Sequence, residues 1–408
     1  MKIRSFKGLT PAKGKAEAIA SLPYDVVNYQ QACEQAEGRP LSFMRVVRSE
    51  IELPEDTDPY SDAVYAHAKE NFERLIANGD LVREPENCMY LYRQEMGGHS
   101  QTGLVATFSA EDYDSDVIKK HEKTRAAKEN DRYRLTKTLR ANTGPVFLTV
   151  KDGTALDKII AEKDDADAIF DFVANDGIRH TGWKISDPEK LAKIKEIFDK
   201  IPCAYVADGH HRSASNARCA RDLKAENPNH TGDEDYNWFL SVVFPAGQLK
   251  ILPYNRVVRD LAGMDESEFL EKLSKVCTVT QSGEKSPAAP NFVDMYLGKK
   301  WYTLKFENTS SLGAVEGLDV SLLQDRVLSP ILKIGDPRTD ERIDFVGGIR
   351  GTGELEKLVD SGKFAVAFSM YPTTVAQLMD IADAGEIMPP KSTWFEPKLR
   401  SGLFVHTF

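Results

Sequence analysis

The stretch from Cys203 to Ala217, reading CAYVADGHHRSASNA, constrains the fold more than any other part of this 408-residue chain. Ala204 to Ala207 is short and apolar and centred on Tyr205 and Val206, the pattern of a buried strand. Gly209 permits a sharp bend or a close approach of backbone to ligand. Ala214, Ala217, Ala220 and Leu223 then recur at helical spacing, which predicts a helix opening near Arg212 or Ser213. Asp208, His210, His211 and Arg212 therefore crowd the start of a helix. That end of a helix offers free N–H groups and positive dipole to an anion. Arg212 adds a planar fork of donors suited to phosphate or carboxylate. His210 and His211 can donate, accept or shuttle a proton near neutral pH. Asp208 can hold a divalent cation or orient a histidine. A polar surface turn is the plain alternative, and the density of donors favours an anion site.

A chain of this length suggests two or three domains, or one core with elaborations. With 41% hydrophobic and 28% charged residues it has the composition of a globular protein with a substantial core. The net charge of −10 argues against a nucleic-acid partner. Met1 to Lys7 is basic with no apolar run after it, so no signal peptide is expected, and no apolar stretch is long enough to span a bilayer. Cys33, Cys88, Cys203, Cys219 and Cys277 are scattered and form no Cys-x-x-Cys pair. Neither structural zinc nor a disulfide framework is expected, and a reducing cytoplasm is the simplest location.

Residues 1–115 read as an N-terminal α/β region. Phe43 to Val47 reads as a strand. Tyr60 to Asn78 carries an apolar stripe stopped by Gly79, a helix of about five turns. Met89 to Arg93 and Gly103 to Phe108, joined through Gly97-Gly98, make a hairpin candidate. Residues 116–250 hold the histidine stretch. Strands are expected at Pro145 to Val150 and Trp238 to Phe244, and helices at Leu156 to Glu162 and Asp187 to Lys200, the latter with a Ser186/Asp187 cap signal. Residues 251–408 read as a C-terminal α/β region. There Asn255 to Val258 extends the previous strand system, and Gln281 to Pro290 is a loop. Lys300 to Phe306 and Phe364 to Phe368 are strands, and helices cover Val320 to Ile331 and Thr373 to Ala384.

Several further segments present chemistry. Pro23 fixes a turn that displays Asp25, a residue that either satisfies turn N–H groups or meets a ligand. Lys120-His121-Glu122-Lys123-Thr124 leads into a charge-rich stretch in which Asp131 and Arg132 form an exposed ion pair or flank phosphates. Two prolines stiffen the approach to Lys391, Ser392 and Thr393, a group that can bind phosphate or form an ordered loop pinned by Trp394 and Phe395. It is not a P-loop, because Pro390 stands where the second glycine is required. Gly347 to Gly353 does not match the dinucleotide fingerprint, and no adjacent strand–helix unit is expected there.

Asp208-Gly209-His210-His211-Arg212 resembles the box shared by the ParB/sulfiredoxin superfamily and its free-serine kinases. The whole chain resembles the family called domain of unknown function 1015. The resemblance rests on Pro23-Tyr24-Asp25-Val26, Lys120 to Thr124, Asp131-Arg132, the histidine box, and Met388 to Phe395, in that order. It implies an α+β fold: a mixed-sheet ParB/sulfiredoxin-like core over residues 116–250, with N- and C-terminal α/β elaborations. It also implies a nucleotide-dependent phosphotransferase, with ATP or ADP as donor, Mg²⁺, and free L-serine as the leading acceptor. By motif position Glu122 is the catalytic base. Asp208 and His211 join it in catalysis, and Asp208 also serves as a metal ligand. His210, His211, Arg212, Lys391, Ser392 and Thr393 bind phosphate or nucleotide, and Asp25 and His121 bind substrate. A nucleotide-binding switch without turnover is the alternative within the same superfamily. Sulfinic-acid reduction ranks last, because it needs a cysteine in the box where this chain has His210 and His211. The partners implied are a nucleotide and a small molecule, with neither nucleic acid nor membrane.

Overall fold

A computed structural model describes residues 1–163 and 165–408, and the side chain of Asp165 lies outside the description. The chain folds into two compact units. One comprises residues 1–120, 124–249 and 397–408, and the other residues 121–123 and 250–396.

The first unit is built on a nine-stranded sheet. Its strands are β1 (Ile3–Arg4), β2 (Met89–Met96), β3 (His99–Ser109), β4 (Ile118–Lys119), β5 (Val146–Val150), β6 (Ala168–Val173), β7 (Arg179–Ile185), β8 (Ala204–Asp208) and β9 (Trp238–Pro245). The order is β4-β8-β5-β9-β3-β2-β7-β6, with β1 also paired to β3. Strands from both sides of residue 115 thus share one sheet. The pairs β8–β4 and β9–β5 are parallel and the others antiparallel, so the sheet is mixed and the architecture α+β. The expected hairpin is β2–β3, in register from Tyr90 opposite Val105 to Met96 opposite His99. Its turn, Gly97-Gly98, has φ of 53° and 82°, a conformation that glycine adopts without a Cβ clash.

One face of the sheet presents Leu104, Ala106, Phe108, Val146, Leu148, Val206 and Phe239. They meet Leu156, Ile159, Ile194, Phe198, Ala217 and Ala220 from the helices Thr154–Ala161, Pro188–Asp199 and His210–Glu226. Each large side chain so buried contributes about 1.5–3 kcal/mol, and a one-residue slip would turn the whole set outward, which fixes the register. Asp187 caps the Pro188–Asp199 helix, accepting from the N–H groups of Glu189 and Lys190 at 2.9 Å. A second core gathers Phe43, Met44, Tyr65, Phe72, Leu135 and Leu139 with Leu9 and Val405. The final residues are stitched into this unit: Ser401 pairs with Ser21, Val405 with Leu9, and His406–Thr407 with Ala141–Asn142.

Phe43 to Val47 is not a strand; Met44–Val47 is a helical turn. Met44, Val46 and Val47 are all buried, and an apolar run buried on every side carries no period that separates strand from helix.

The second unit is a six-stranded antiparallel sheet. In spatial order its strands are Thr278–Ser282, Lys300–Lys305, Phe292–Leu297, Val366–Met370, Tyr254–Val258 and Ile343–Gly347. Tyr254–Val258 therefore belongs to this sheet and does not extend the first. The loop expected from Gln281 begins two residues late, because Gln281 and Ser282 pair with Tyr302 and Trp301. Gly347 to Gly353 does lie between a strand and a helix, Gly351–Asp360, contrary to the sequence expectation. Leu355 of that helix packs on Val257, Tyr296, Trp301 and Ala367. No helix among the described residues is long and apolar enough to cross a membrane.

Candidate functional site

The histidine box lies in the first unit, where β8 runs into the helix His210–Glu226. The helix opens two to three residues earlier than its alanine spacing suggests, because His210 and Arg212 are themselves buried. Register slips between Val206 and Asp208 against β5, a bulge at the end of the strand just before the turn. Gly209 is the N-cap and has φ 94°, so the turn requires glycine. A Cβ there would stand 3.0–3.1 Å from the Arg212 guanidinium. The first intrahelical bond is Ser213 N–H to Gly209 C=O at 2.9 Å, so the first-turn N–H groups of His210, His211 and Arg212 lie at the N-terminal end of a 17-residue helix.

Asp208 is the anchor of the turn. Its Oδ1 accepts from the Gly209 N–H at 2.9 Å and its Oδ2 from Lys398 Nζ at 3.1 Å, while Arg212 Nη2 stands 4.0 Å from Oδ2. Burial pushes its carboxyl up, but the charges of Lys398 and Arg212 outweigh burial and hold it well below the usual carboxylate range. Asp208 is thus ionised. Both oxygens are engaged and two cations face it, a setting that suits ammonium and guanidinium partners better than Mg²⁺. The metal role expected for Asp208 does not fit these neighbours.

Arg212 is 8% exposed; its Nη1 donates to the carbonyl of Pro145. His210 is buried, and burial, opposed by Asp208 and aided by His211 and Arg212, lowers its pKa to about 3. Of the roles open to it, donating, accepting or shuttling a proton, the lowered pKa favours a neutral, hydrogen-bonding ring at neutral pH. His211 Nε2 accepts from the Arg125 N–H at 3.0 Å, which places a ring proton on Nδ1 in the neutral form.

Asp131 and Arg132 are not an exposed pair. Both are buried on the helix Ala126–Leu139, with Arg132 Nε and Nη2 at 3.0 and 2.7 Å from Asp131 Oδ2 and the Tyr65 hydroxyl at 2.9 Å from Oδ1. The Arg132 guanidinium lies 3.9 Å from the centre of the Tyr24 ring. In the Pro23 turn it is Tyr24 that is buried, whereas Asp25 is exposed. Arg132, Arg212 and Tyr24 line one small cavity with Thr143, Ser215 and Ser401.

The remaining expected residues belong to the second unit. His121 is buried and its carbonyl accepts from the Met388 N–H at 2.8 Å; Glu122 beside it is half-buried. Lys391 has φ 60°, its carbonyl accepts from Arg256 Nη2 at 3.2 Å, and its Nζ lies 5.5 Å from the Tyr254 ring centre. Ser392 Oγ donates to the Pro389 carbonyl at 2.6 Å, and the Ser392 carbonyl accepts from Thr373 Oγ1 at 2.9 Å. Those bonds hold the Lys391–Thr393 loop in a defined shape within its own unit.

A profile of the family described as a protein of unknown function, DUF1015, matches residues 3–321. The chain belongs to the DUF1015 family. No curated protein matches the DUF1015 chain. Among solved structures it is similar to a free serine kinase in complex with AMP, at 13% identity and a TM-score of 0.36 over 71% of this chain and 86% of that one. A free serine kinase variant in complex with ADP gives 14%, 0.37, and 71% and 87%. SbnI with a C-terminal truncation, from Staphylococcus aureus, gives 12%, 0.39, and 73% and 85%.

Proposed function

We propose that this DUF1015 chain is a nucleotide-dependent small-molecule phosphotransferase with a ParB/sulfiredoxin-like core, taking ATP or ADP as donor and free L-serine as leading acceptor. The observation that carries the reading is the start of the His210–Glu226 helix. First-turn N–H groups, a buried arginine and a neutral buried histidine come together there on a turn that only glycine fits. Such a cluster stabilises phosphate charge without reorganising, which is most of what phosphoryl transfer asks of a protein. In this reading Asp208 sets the turn and holds Arg212 in place, and Mg²⁺ arrives as part of the nucleotide substrate. The acceptor and the base, Glu122, rest on the motif resemblance. A serine hydroxyl is a weak nucleophile at neutral pH, so a carboxylate must take its proton as the O–P bond forms.

The test is phosphoserine formation from L-serine with ATP or ADP and Mg²⁺, followed by phosphorus NMR. Wild-type protein should form product. Glu122→Gln should turn over roughly 10²–10⁴-fold more slowly while binding nucleotide almost as well. Nucleotide binding without product from serine or any other hydroxy compound would replace the enzyme with a nucleotide-binding switch.

A further inference from the structure

The cavity beside Arg212 is a second recognition feature, distinct from the helix start. It lies within the first unit and is about 20 Å³, room for one small group and far too little for a nucleotide. Its lining is mixed: Tyr24, Arg132, Arg212, Thr143, Ser215 and Ser401 bring polar groups, and Val47 and Leu135 close the apolar side. Two of these residues carry donors left over. The Tyr24 hydroxyl and Arg212 Nε are buried and meet no hydrogen-bond partner among the described residues. Tyr24 is 6% exposed and Arg212 8%. A buried donor without a partner costs about 1–3 kcal/mol, so two such donors on residues that line one void favour an acceptor in it.

The charges around the void say what that something is. Arg132 is matched by Asp131 in a close pair. Among the described residues the acid paired with Arg212 is Asp208, at 4.0 Å, and Lys398 already holds that same carboxylate oxygen at 3.1 Å. An acceptor with a single negative charge would meet the Arg212 charge that Asp208 leaves unmatched. A flat group with two acceptor oxygens also fits guanidinium and hydroxyl donors best.

We propose that the Tyr24–Arg132–Arg212 niche binds the carboxylate of a small hydroxy or amino acid. It would then select acids over plain alcohols as phosphoryl acceptors. The selection of an acceptor rests on the phosphotransferase reading, but binding of the carboxylate does not. Tyr24 and Arg212 donate to the carboxylate, and Arg132 fixes the Tyr24 ring through its guanidinium face and adds positive potential.

Calorimetric titration of the full chain with three matched pairs tests this: L-serine against L-serinamide, glycerate against glycerol, and acetate against acetamide. At least one acid should bind ten-fold or more tightly than its neutral partner. Tyr24→Phe keeps the ring under Arg132 and removes only the orphaned hydroxyl. It should weaken that acid about five-fold or more, while the thermal midpoint of the ligand-free protein stays level or rises. Acid and neutral partners binding alike in all three pairs, no binding of any acid, or unchanged affinity in Tyr24→Phe would each overturn the niche and leave a water-sized void. Acid binding without phosphoryl transfer would instead sink the phosphotransferase reading alone. Transfer to glycerol as readily as to serine would sink the niche alone.

Discussion

Lys398 Nζ lies 3.1 Å from Asp208 Oδ2 across 190 residues of sequence, so the last segment of the chain sets the charge of the turn that opens the histidine helix. Lys398 is 7% exposed and its carbonyl accepts from Gln94 Nε2 at 2.8 Å, which holds it on the first unit's sheet. Taking away one partner of such a pair leaves a mostly buried charge uncompensated. Lys398→Met should therefore lower stability by about 2–3 kcal/mol in urea unfolding, discounted from a fully buried pair because the Asp208 side chain keeps 27% of its exposure. In a double-mutant cycle with Asp208→Asn the two changes should be strongly non-additive, with a coupling of at least about 1 kcal/mol. Additive losses would show that the contact is incidental.

Gly209→Ala tests the turn itself. An L side chain at φ 94° is strained, and its Cβ would press on the Arg212 guanidinium at 3.0–3.1 Å. The variant should lose about 1–3 kcal/mol and displace the fork that faces the anion. Stability from urea melts and phosphate or ADP affinity from titration should both fall. A variant as stable and as tight-binding as wild type would show that the turn relaxes without harm.

Acid should unfold this protein through its histidines. Burial, with Arg400 beside it, lowers His180 to about 2. Burial lowers His210 to about 3 and, with Arg4 and Arg83 nearby, His406 to about 3. An unfolded histidine titrates near 6.5, so between about pH 6.5 and 3 the unfolded chain binds up to three more protons than the native one. Stability is present above pH 6.5 and falls as pH drops through that window, by up to about 4 kcal/mol per pH unit at mid-window for three protons. Asp208 adds to the loss below about pH 4, where the unfolded chain takes up a proton that native Asp208 refuses. Urea midpoints at pH 7.5, 6.0 and 5.0 should decline steadily; equal midpoints would mean these rings are reached by protons in the native state.

The strand, turn and helix of the histidine stretch were legible because their signals are local: an apolar run, a glycine and alanines at helical spacing. The β2–β3 hairpin was legible for the same reason, with Gly97-Gly98 marking its turn. What escaped depends on burial and on long-range contact. Phe43 to Val47 carried no period to separate helix from strand. Arg132 read as a surface ion-pair partner, and nothing near it in sequence says that Tyr24 lies under its guanidinium. In the Pro23 turn the charge sits on Asp25, which is exposed, whereas the buried neighbour Tyr24 lines the niche. Lys398 had one weak signal, a basic pair with Arg400 just past Pro397, and only the returning C-terminal segment gives it meaning. The lowered pKa of His210 was not legible either, because it comes mainly from burial, which sequence does not display.

The central claim is that the start of the His210–Glu226 helix holds phosphate, and the most direct measurement is calorimetric titration of ADP in Mg²⁺ into wild type and Arg212→Lys. Lysine keeps the positive charge but not the planar fork or the bond to the Pro145 carbonyl. Wild type should bind ADP, and Arg212→Lys, shown folded by circular dichroism, should bind at least ten-fold more weakly. Equal ADP affinity in the two proteins, or no ADP binding by wild type, would contradict the account.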